Sequence, residues 1–226
     1  MTLYVVATPI GNLGDMSPRA RMTMAAADCV VCEDRRISAK LLGKPSGERR
    51  LLLCRDDNEK QIAGEILELL HSGKNVCLVS DAGTPCISDP GFRLVRACRK
   101  EGLPVEVVPG PCAAIAALSI SGLPTDGFLF AGFLPSKRSA RINFFQKYGE
   151  FEYTIVFYES CHRIGKFLND ALEIFGSERI ICVAKELTKV HETFLIGKLA
   201  AVCEKMATIA AKGEFVTIVA PARFTL

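Results

Sequence analysis

The sequence predicts an α/β fold of two domains, and three observations lead to this prediction. Short apolar, β-branched runs alternate with segments of helical periodicity over most of the 226 residues. Loops rich in glycine and proline follow several of the apolar runs. A turn-rich stretch over 122–127 separates two such series. Continuous hydrophobic strands separated by helices favour sheets that are covered on both faces.

The first half contains candidate strands over 3–7, 29–33, 51–54, 76–80 and 105–108. Between them the pattern predicts helices over 18–28, 58–73, 89–102 and 111–122. Ser17 followed by Pro18 is typical of a helix N-cap and a first-turn proline. Gly73 and Gly102 are expected to end their helices.

The second half begins at the linker over 122–127, which places the predicted domains at 1–122 and 123–226. Strands are expected here over 128–132, 153–158, 180–184, 193–196 and 215–220, with helices near 139–148, 162–175 and 199–211. Turn signals lie closer together than in the first half, so we expect more antiparallel pairing.

The composition is that of a packed globular protein, since 49% of the residues are apolar and 23% are charged. A net charge of +3 is too small to indicate nucleic-acid binding by itself, so any basic surface must be local. The three histidines lie far apart and form no pair with metal-ligand spacing, so we expect no metal. The sequence has no recognisable signal peptide and no apolar run of about 18 residues, which predicts a cytoplasmic protein.

The ten cysteines are scattered, mostly in apolar runs, which is typical of reduced thiols in the cytosol. Cys29 and Cys32 form a C-x-x-C pair that contains no glycine or proline turn. We interpret this pair as part of a buried strand, and a redox or metal pair is the alternative.

Four loops follow predicted strands, over 8–15, 80–91, 109–114 and 186–189. In open α/β sheets ligands bind at the carboxyl ends of the strands, and glycine lets the backbone approach them. The loops therefore predict a ligand cleft, although simple chain turns are the alternative. The sequence contains no dinucleotide fingerprint, P-loop or nucleophile elbow, so those enzyme classes lack support.

Motifs that carry a family resemblance lie at 8–15, 33–34, 80–91, 132–135, 156–160, 162–163, 186–189 and 213–215. Together, and in this order, they resemble the ribosomal RNA small-subunit methyltransferase I family. The block over 80–91 is the most specific of them, and the resemblance covers nearly the whole chain. This family belongs to the tetrapyrrole-methylase superfamily, whose members fold as two α/β domains, with the methyl donor in the cleft between them, and are commonly homodimers.

The resemblance implies an S-adenosyl-L-methionine-dependent enzyme that methylates a ribose 2′-hydroxyl, of a cytidine, in small-subunit ribosomal RNA. The donor-binding positions that it implies are Pro9, Asp81, Gly83, Thr84, Cys112, Ala113, Tyr158 and Leu187. A carboxylate such as that of Asp81 can offset the charge of a sulfonium ligand. Capping of nearby backbone amides is the structural alternative for Asp81.

Methyl transfer from a sulfonium is a displacement, so catalysis depends mainly on alignment of the reacting atoms. A ribose hydroxyl is a poor nucleophile while protonated, and a base or a nearby cation must help it lose its proton. The charged residues near the loops are Glu33, Asp34, Glu159, Glu186 and Lys189. Of these we predict Lys189 and Glu159 as catalytic, and an ordinary surface lysine is the alternative for Lys189.

Basic residues beside the loops are candidate RNA contacts. Lys137, Arg138 and Arg141 follow the motif at 132–135 and predict phosphate binding, with a solvated helix start as the alternative. Arg36 is a further candidate, in a segment where this chain reads Glu-Asp-Arg-Arg-Ile-Ser and the family usually reads Glu-Asp-Thr-Arg-His-Thr. The segment over 55–59 also departs from the family pattern, in a region where RNA or the reacting nucleoside is expected.

Two other functions stay open from the sequence. A small-molecule methyltransferase of the tetrapyrrole type would favour Gly-Asp-Pro in the second loop, where this chain has Ser-Asp-Ala-Gly-Thr-Pro over 80–85. A non-catalytic RNA-binding module would keep the fold without donor affinity, and the altered segment over 35–38 is the observation that supports it.

Overall fold

The computed structural model describes residues 1–42, 50–55 and 57–226, so Asp56 in the segment over 55–59 lies outside the described residues. The chain divides into two compact units, Met1–Cys112 and Ala113–Leu226, and each contains its own sheet and helices. The predicted α/β fold class is therefore confirmed. The domain boundary placed after 122 stays a prediction, and the helix over Ala113–Ser119 groups with the second unit.

The first unit is built on a parallel sheet, which explains why its strands are so apolar. Its strands are β1 (Leu3–Val6), β2 (Cys29–Cys32), β3 (Arg50–Leu53), β4 (Val76–Val79) and β5 (Val105–Val108). They lie in the order β3-β2-β4-β1-β5, and every pairing is parallel. All residues of β2 and β4 are buried, as expected for inner strands of such a sheet.

Helices cover both faces of this sheet. They are α1 (Pro18–Ala26), α2 (Arg35–Leu42), α3 (Glu59–His71) and α4 (Phe92–Lys100). Ile66 of α3 and Leu94 of α4 are fully buried in the core on one face. Met24 of α1 is buried in the core on the opposite face.

Cys29 and Cys32 lie on opposite faces of β2. Cys29 belongs to the core beneath α3 and α4, whereas Cys32 belongs to the core beneath α1. Residues three apart on a strand point in opposite directions, because side chains alternate with a period of two. Both thiols are free and buried, so the interpretation of this motif as part of a buried strand is confirmed.

The starts of α1 and α4 are fixed in different ways, the first by an adjacent residue and the second by a residue that is distant in the chain. Ser17 caps α1 as predicted, since its Oγ accepts a hydrogen bond from the Ala20 amide at 3.0 Å. The helix expected from residue 89 begins at Phe92, with Gly91 as its N-cap. Its first amides are satisfied by Glu59 of α3, a partner that a local sequence pattern does not reveal.

The second unit has a mixed sheet. Its elements are α5 (Ala113–Ser119), β6 (Phe128–Phe133), α6 (Arg138–Lys147), β7 (Thr154–Ser160), α7 (Ile164–Phe175), β8 (Ile180–Lys185), β9 (Thr193–Lys198), α8 (Leu199–Ala207) and β10 (Glu214–Val219). The strand order is β6-β7-β10-β8-β9. Only the β6–β7 pairing within this sheet is parallel, which confirms the expected shift to antiparallel pairing.

The two faces of this sheet carry different helices. Phe157 of β7 and Phe215 of β10 are buried in a core with residues of α6, α7 and α8. Tyr158 is adjacent to Phe157 on β7 and therefore points to the other face, where its hydroxyl accepts a hydrogen bond from the Ala114 amide of α5. In the part of the chain that the structure describes, no helix is long and apolar enough to cross a membrane.

Candidate functional site

The loops that follow β1, β4 and β5 are joined to one another at the carboxyl edge of the first sheet. Thr8 and Gly83 exchange backbone hydrogen bonds of 2.8 and 3.1 Å. The Thr8 hydroxyl also donates to the Ser80 carbonyl at 3.1 Å, and the Thr84 hydroxyl donates to the Pro111 carbonyl at 3.0 Å. The first unit therefore brings together the loops that contain five of the predicted donor-binding residues, which are Pro9, Asp81, Gly83, Thr84 and Cys112.

Gly83 is required at the junction of these loops. Its φ of +90° lies in the region that residues with a side chain rarely adopt. A Cβ atom at this position would lie 3.3 Å from Ile10 Cγ2 and 3.7 Å from the Pro111 carbonyl oxygen. A side chain here would occupy the space between the first and third loops, so the glycine keeps that space open.

Asp81 is half-buried at the end of β4, and one of its oxygens has a structural role. Its Oδ1 accepts a hydrogen bond of 3.1 Å from the Asp34 amide. Burial raises the pKa of the Asp81 carboxyl, and the Asp34 carboxylate adds to this, whereas the Asp34 amide, Arg36 and Arg55 act in the opposite direction. Because a nearby cation stabilises an ionised carboxylate, this position favours a positively charged ligand.

Asp34 links Asp81 to the helix α2. Its Oδ1 accepts a hydrogen bond of 2.7 Å from the Arg36 amide, so Asp34 acts as a cap of α2. The Arg36 side chain forms an ion pair of 2.6 Å with Asp34 and is 88% exposed. Hydrogen bonds from the Arg36 side chain and amide lower the pKa of Asp34 to about 2. Sequence reasoning missed this helix, and the Asp34 cap is the signal that could have located it.

Glu59 is a second structural residue that the sequence analysis did not identify. It is buried, and its Oε1 accepts hydrogen bonds from the amides of Gly91 at 3.0 Å and Arg93 at 2.6 Å. A carboxylate at a helix N-terminus is favourable, since it satisfies orphan amides and opposes the positive end of the dipole. Glu59 therefore fixes the far end of the loop over 80–91.

In the second unit, the structure brings two of the predicted donor-binding residues close together. Ala113 begins α5, and the amide of the next residue, Ala114, donates to the Tyr158 hydroxyl at 3.1 Å. The Tyr158 ring is also packed edge-on against Phe130, with ring centres 5.0 Å apart. Leu187 is buried in the loop that follows β8.

Lys189 lies in a charged cluster at the end of β8. Its Nζ donates to Glu186 Oε1 at 2.8 Å and to Glu214 Oε2 at 2.9 Å. Burial lowers the pKa of Lys189, but the hydrogen bonds to the two carboxylates outweigh burial, so the pKa is raised overall. Burial raises the pKa of Glu186, but the Lys189 ammonium and the Glu214 amide outweigh it, so that pKa is lowered overall. Lys189 and Glu186 are therefore both ionised at neutral pH.

The loop that holds this cluster has an unusual backbone. Glu186 and Thr188 have φ values of 53° and 64°, which residues with side chains seldom adopt. Gly213, with a φ of +100°, lies against the Glu186 side chain, and a Cβ atom there would overlap it. Glycine at this position therefore lets Glu186 occupy its place between Lys189 and the Glu214 amide.

Glu159 is placed differently from what a proton-transferring group requires. Its side chain is fully buried on the face of the sheet that carries Phe157 and Phe215, opposite to Tyr158. Its Oε1 accepts hydrogen bonds from Arg163 Nε at 2.8 Å and from the Ser160 amide at 2.7 Å. The burial of Glu159 and its pairing with Arg163 favour a structural role, and its part in catalysis stays a prediction.

The predicted basic segment divides into residues with different surroundings. Arg141 is 2% exposed, and its guanidinium forms a buried ion pair with Asp170. Arg138 is 62% exposed on its side chain and pairs with Asp170 and Glu173. Lys137 is exposed at the N-cap of α6. The buried ion pair with Asp170 favours a structural role for Arg141, and phosphate binding by this residue stays a prediction.

In the described part of the chain, no group of three or more histidine, cysteine or acidic side chains could hold a metal ion. The groups that could bind a ligand or take part in a reaction are the joined loops with Asp81, the charged cluster around Lys189, and the exposed cations Arg36 and Lys137.

Comparison with known proteins relates these features to one group of enzymes. Residues 2–203 match the model of the tetrapyrrole (corrin/porphyrin) methylases. The chain is 50% identical over 220 residues to the ribosomal RNA small subunit methyltransferase I of Xylella fastidiosa, covering 96% of this chain and 81% of that protein. It is 48% identical over 191 residues to the protein of the same name from Haemophilus influenzae, covering 84% of this chain and 68% of that protein.

A solved structure with the same fold is the uroporphyrin-III C-methyltransferase of Thermus thermophilus in complex with S-adenyl homocysteine. It matches with a TM-score of 0.65 at 18% sequence identity, covering 98% of this chain and 97% of that chain. At this level of identity the likeness concerns the fold.

Proposed function

Since the chain belongs to the ribosomal RNA small subunit methyltransferase I family of tetrapyrrole methylases, we propose that it transfers a methyl group from S-adenosylmethionine to a ribose 2′-hydroxyl, of a cytidine, in small-subunit ribosomal RNA. The observation that carries the proposal is the joining of the loops after β1, β4 and β5 by the Thr8–Gly83 and Thr84–Pro111 hydrogen bonds. Ligands of α/β folds bind at this edge of a sheet.

The donor positions proposed in the first unit are Pro9, Asp81, Gly83, Thr84 and Cys112, and those in the second unit are Ala113, Tyr158 and Leu187. S-adenosylmethionine supplies an activated methyl group on a positively charged sulfur. The half-buried Asp81 fits a cationic ligand. Burial raises the pKa of its carboxyl by disfavouring the charged form, and a nearby positive charge would stabilise that form. Gly83 leaves the space between the loops that a bound ligand requires.

We place Lys189 at the reacting hydroxyl as a cation. Its raised pKa means that it stays protonated at neutral pH, so it does not accept the proton of the ribose hydroxyl. An ammonium has three N–H donors, and beyond the two bonds to Glu186 and Glu214 the third can instead donate to the negative charge that develops on the ribose oxygen. Glu186 and Glu214 hold the ammonium in one position, which keeps the energetic cost of orienting it low during the reaction.

For the RNA we propose Arg36 and Lys137 as the main phosphate contacts, with Arg138 as a weaker one. All three side chains are exposed, but Arg36 pairs with one carboxylate and Arg138 pairs with two. Phosphate contacts position a nucleic acid without reading its sequence. The proposed substrate is ribosomal RNA or the small ribosomal subunit, and the proposed location is the cytoplasm, where that substrate is found.

A homodimer is also proposed, on the basis of the family resemblance. Sedimentation of the whole chain tests it, and a single species with the mass of one chain at all concentrations would contradict it.

The decisive experiment maps methylated nucleosides in small-subunit RNA, by mass, from cells with and without this protein. We expect one ribose methylation to disappear when the protein is absent. In parallel, Asp81→Asn and Asp81→Ala should both weaken binding of S-adenosylmethionine, whose dissociation constant we expect to be of micromolar order, or roughly −8 kcal/mol. Asp81→Asn keeps the oxygen that accepts from Asp34 and removes the charge, so it isolates the electrostatic part.

The exposed Asp126→Ala is the matched control and should bind the donor normally. Unchanged donor affinity in both Asp81 variants would remove Asp81 from the site. Methylation of a tetrapyrrole but not of RNA by the purified protein would overturn the proposed function.

A further inference from the structure

An exposed phenylalanine lies at the end of β6, where the sheet would ordinarily present polar residues. Phe133 is 52% exposed. Its ring packs edge-on against the Tyr158 ring, with centres 5.6 Å apart. The Arg163 guanidinium lies 5.9 Å from the centre of the Phe133 ring. The ring is therefore held from two sides while much of its surface stays in contact with water.

The arginine beside this ring is itself held rigidly. Arg163 Nε pairs with Glu159 Oε1 at 2.8 Å, and Arg163 Nη1 donates to the Leu134 carbonyl at 3.0 Å. The Glu159 side chain is fully buried, and its Oε2 has no hydrogen-bond partner among the described residues. Burying a carboxylate is costly unless it is well paired. The buried Glu159 carboxylate thus fixes Arg163, and Arg163 in turn fixes the backbone next to Phe133.

The chemistry around Phe133 fits one kind of ligand. A π-face next to a guanidinium offers stacking to a flat, uncharged ring system, and nucleobases are such rings. Lys137 follows four residues later and is exposed at the start of α6, so a cation for the sugar–phosphate backbone is available nearby in the chain. Aromatic stacking combined with basic residues is the usual way in which proteins bind single-stranded RNA.

We propose that Phe133 is a stacking platform for a base of the RNA substrate, and that Glu159 and Arg163 are positioning residues that hold this platform. The inference rests on the proposed function and names one element of its substrate recognition. It also gives the buried Glu159–Arg163 pair a role other than proton transfer.

The test compares Phe133→Leu, which keeps apolar volume and removes the π-face, with Phe133→Trp, which keeps a stacking surface. Phe128→Leu is the matched control, since Phe128 is a 40% exposed phenylalanine at the other end of the same strand. The probe is a fluorescently labelled single-stranded RNA that covers the methylated position, titrated against the whole protein. We expect Phe133→Leu to weaken binding roughly tenfold to a hundredfold, and Phe133→Trp and Phe128→Leu to bind as the unmodified protein does.

A second measurement identifies the base. Abasic sites are scanned through the same RNA. At one position the missing base should weaken binding by the unmodified protein, whereas Phe133→Leu should bind that abasic RNA almost as well as it binds the intact RNA. Binding of S-adenosylmethionine should be equal in all variants. Equal RNA affinity of Phe133→Leu and the unmodified protein, or an abasic penalty that is the same in both, would overturn the proposal.

Two further outcomes also count against it. Loss of donor affinity in Phe133→Leu would assign the ring to the donor, and a change in sedimentation would assign it to contact between copies of this chain. Absence of any RNA methylation by the unmodified protein would instead remove the proposed function, so the two failures are distinguishable.

Discussion

Two groups of opposite charges lie near the carboxyl ends of β7 and β8 in the second unit, and they differ in burial. The Glu159–Arg163 pair has a carboxylate that is 0% exposed. The Lys189 cluster is open, with side-chain exposures of 29% for Lys189, 22% for Glu186 and 77% for Glu214. Sequence reasoning treated Glu159 and Lys189 alike, as catalytic candidates beside a loop.

The difference teaches that the direction in which a side chain points from the sheet, and not its nearness to a loop, decides whether its charge is buried or exposed. Glu159 alternates with Tyr158 and therefore points into the core beneath the helices. Lys189 follows the end of β8 and lies beyond the sheet, where its side chain is partly exposed to solvent. Residues of the same charge types are thus buried in the core in one place and lie at the surface in the other.

Removing the cation of the buried pair is the largest expected effect. Arg163→Ala leaves the Glu159 carboxylate buried and unpaired, and it should lower the free energy of unfolding by about 3 to 5 kcal/mol. Urea unfolding followed by circular dichroism measures this loss. Adding Glu159→Gln to the same chain should recover part of it, because no buried charge then remains.

The exposed counterpart is the control for this prediction. Lys189→Ala should cost less than about 1 kcal/mol, since surface ion pairs contribute little. Equal losses for Arg163→Ala and Lys189→Ala would erase the distinction between the two regions.

The second expected effect concerns activity and falls on the open cluster. Lys189→Met should lower the rate of methyl transfer roughly a hundredfold, while Lys189→Arg should keep part of the rate because it keeps the charge. Single-turnover methyl incorporation into small-subunit RNA provides the rate. Lys205→Met, on the exposed surface of α8, is the matched control.

The pH dependence of this variant checks the assigned mechanism. Lys189 has a pKa above its ordinary value of 10.5, so its ion pairs are intact below that pH and are lost as the pH rises through the raised value. Glu186 has a pKa below its ordinary value of 4.5, so its pairing is intact above that pH and is lost as the pH falls through the lowered value. The ratio of unmodified to Lys189→Met rates should therefore be constant between about pH 6 and about pH 9. A ratio that rises with pH across this range would identify Lys189 as a base.

The smallest expected effect compares a buried and a partly exposed thiol of the second unit. Burial raises the pKa of Cys182 in β8 to about 12, whereas Cys161, directly after β7, is partly exposed. The thiolate is the reactive form, so iodoacetamide at neutral pH should modify Cys161 at least roughly a hundredfold faster than Cys182. Peptide mass analysis follows both sites, and in guanidinium chloride the two rates should become similar. Equal rates in the folded protein would contradict the burial of Cys182.

Local signals predicted most of the fold. Apolar runs located the strands of the parallel sheet to within one residue, most clearly for β2 and β4, which are buried on both faces. Ser17 and Pro18 located the start of α1, because the cap and the helix it serves are adjacent in the chain. Helix α2 was not predicted, since the Asp34 cap that begins it was overlooked.

The sequence predicted which loops form the candidate site, but it did not predict the roles of the charged side chains in them. Glycine and proline located the segments around Asp81, whereas the hydrogen bonds that join Thr8 to Gly83 depend on strand order. In the sequence, Arg141 and Lys137 are basic residues of one short segment and cannot be told apart. The packing of α6 against α7 reveals that Asp170 neutralises Arg141. Roles of charged residues therefore depend on partners that are distant in sequence.

The cap that Glu59 provides has a consequence for how the loop over 80–91 opens. A loop rich in glycine and proline would ordinarily fluctuate independently, with amides that exchange rapidly with deuterium. Here the amides of Gly91 and Arg93 are bonded to a carboxylate from α3, so they become free only when α3 detaches. These amides should therefore exchange at the rate of α3, as one cooperative opening unit. The mobility of the loop over 80–91 is in this way set by Glu59, a residue of α3 that lies some twenty positions before the loop.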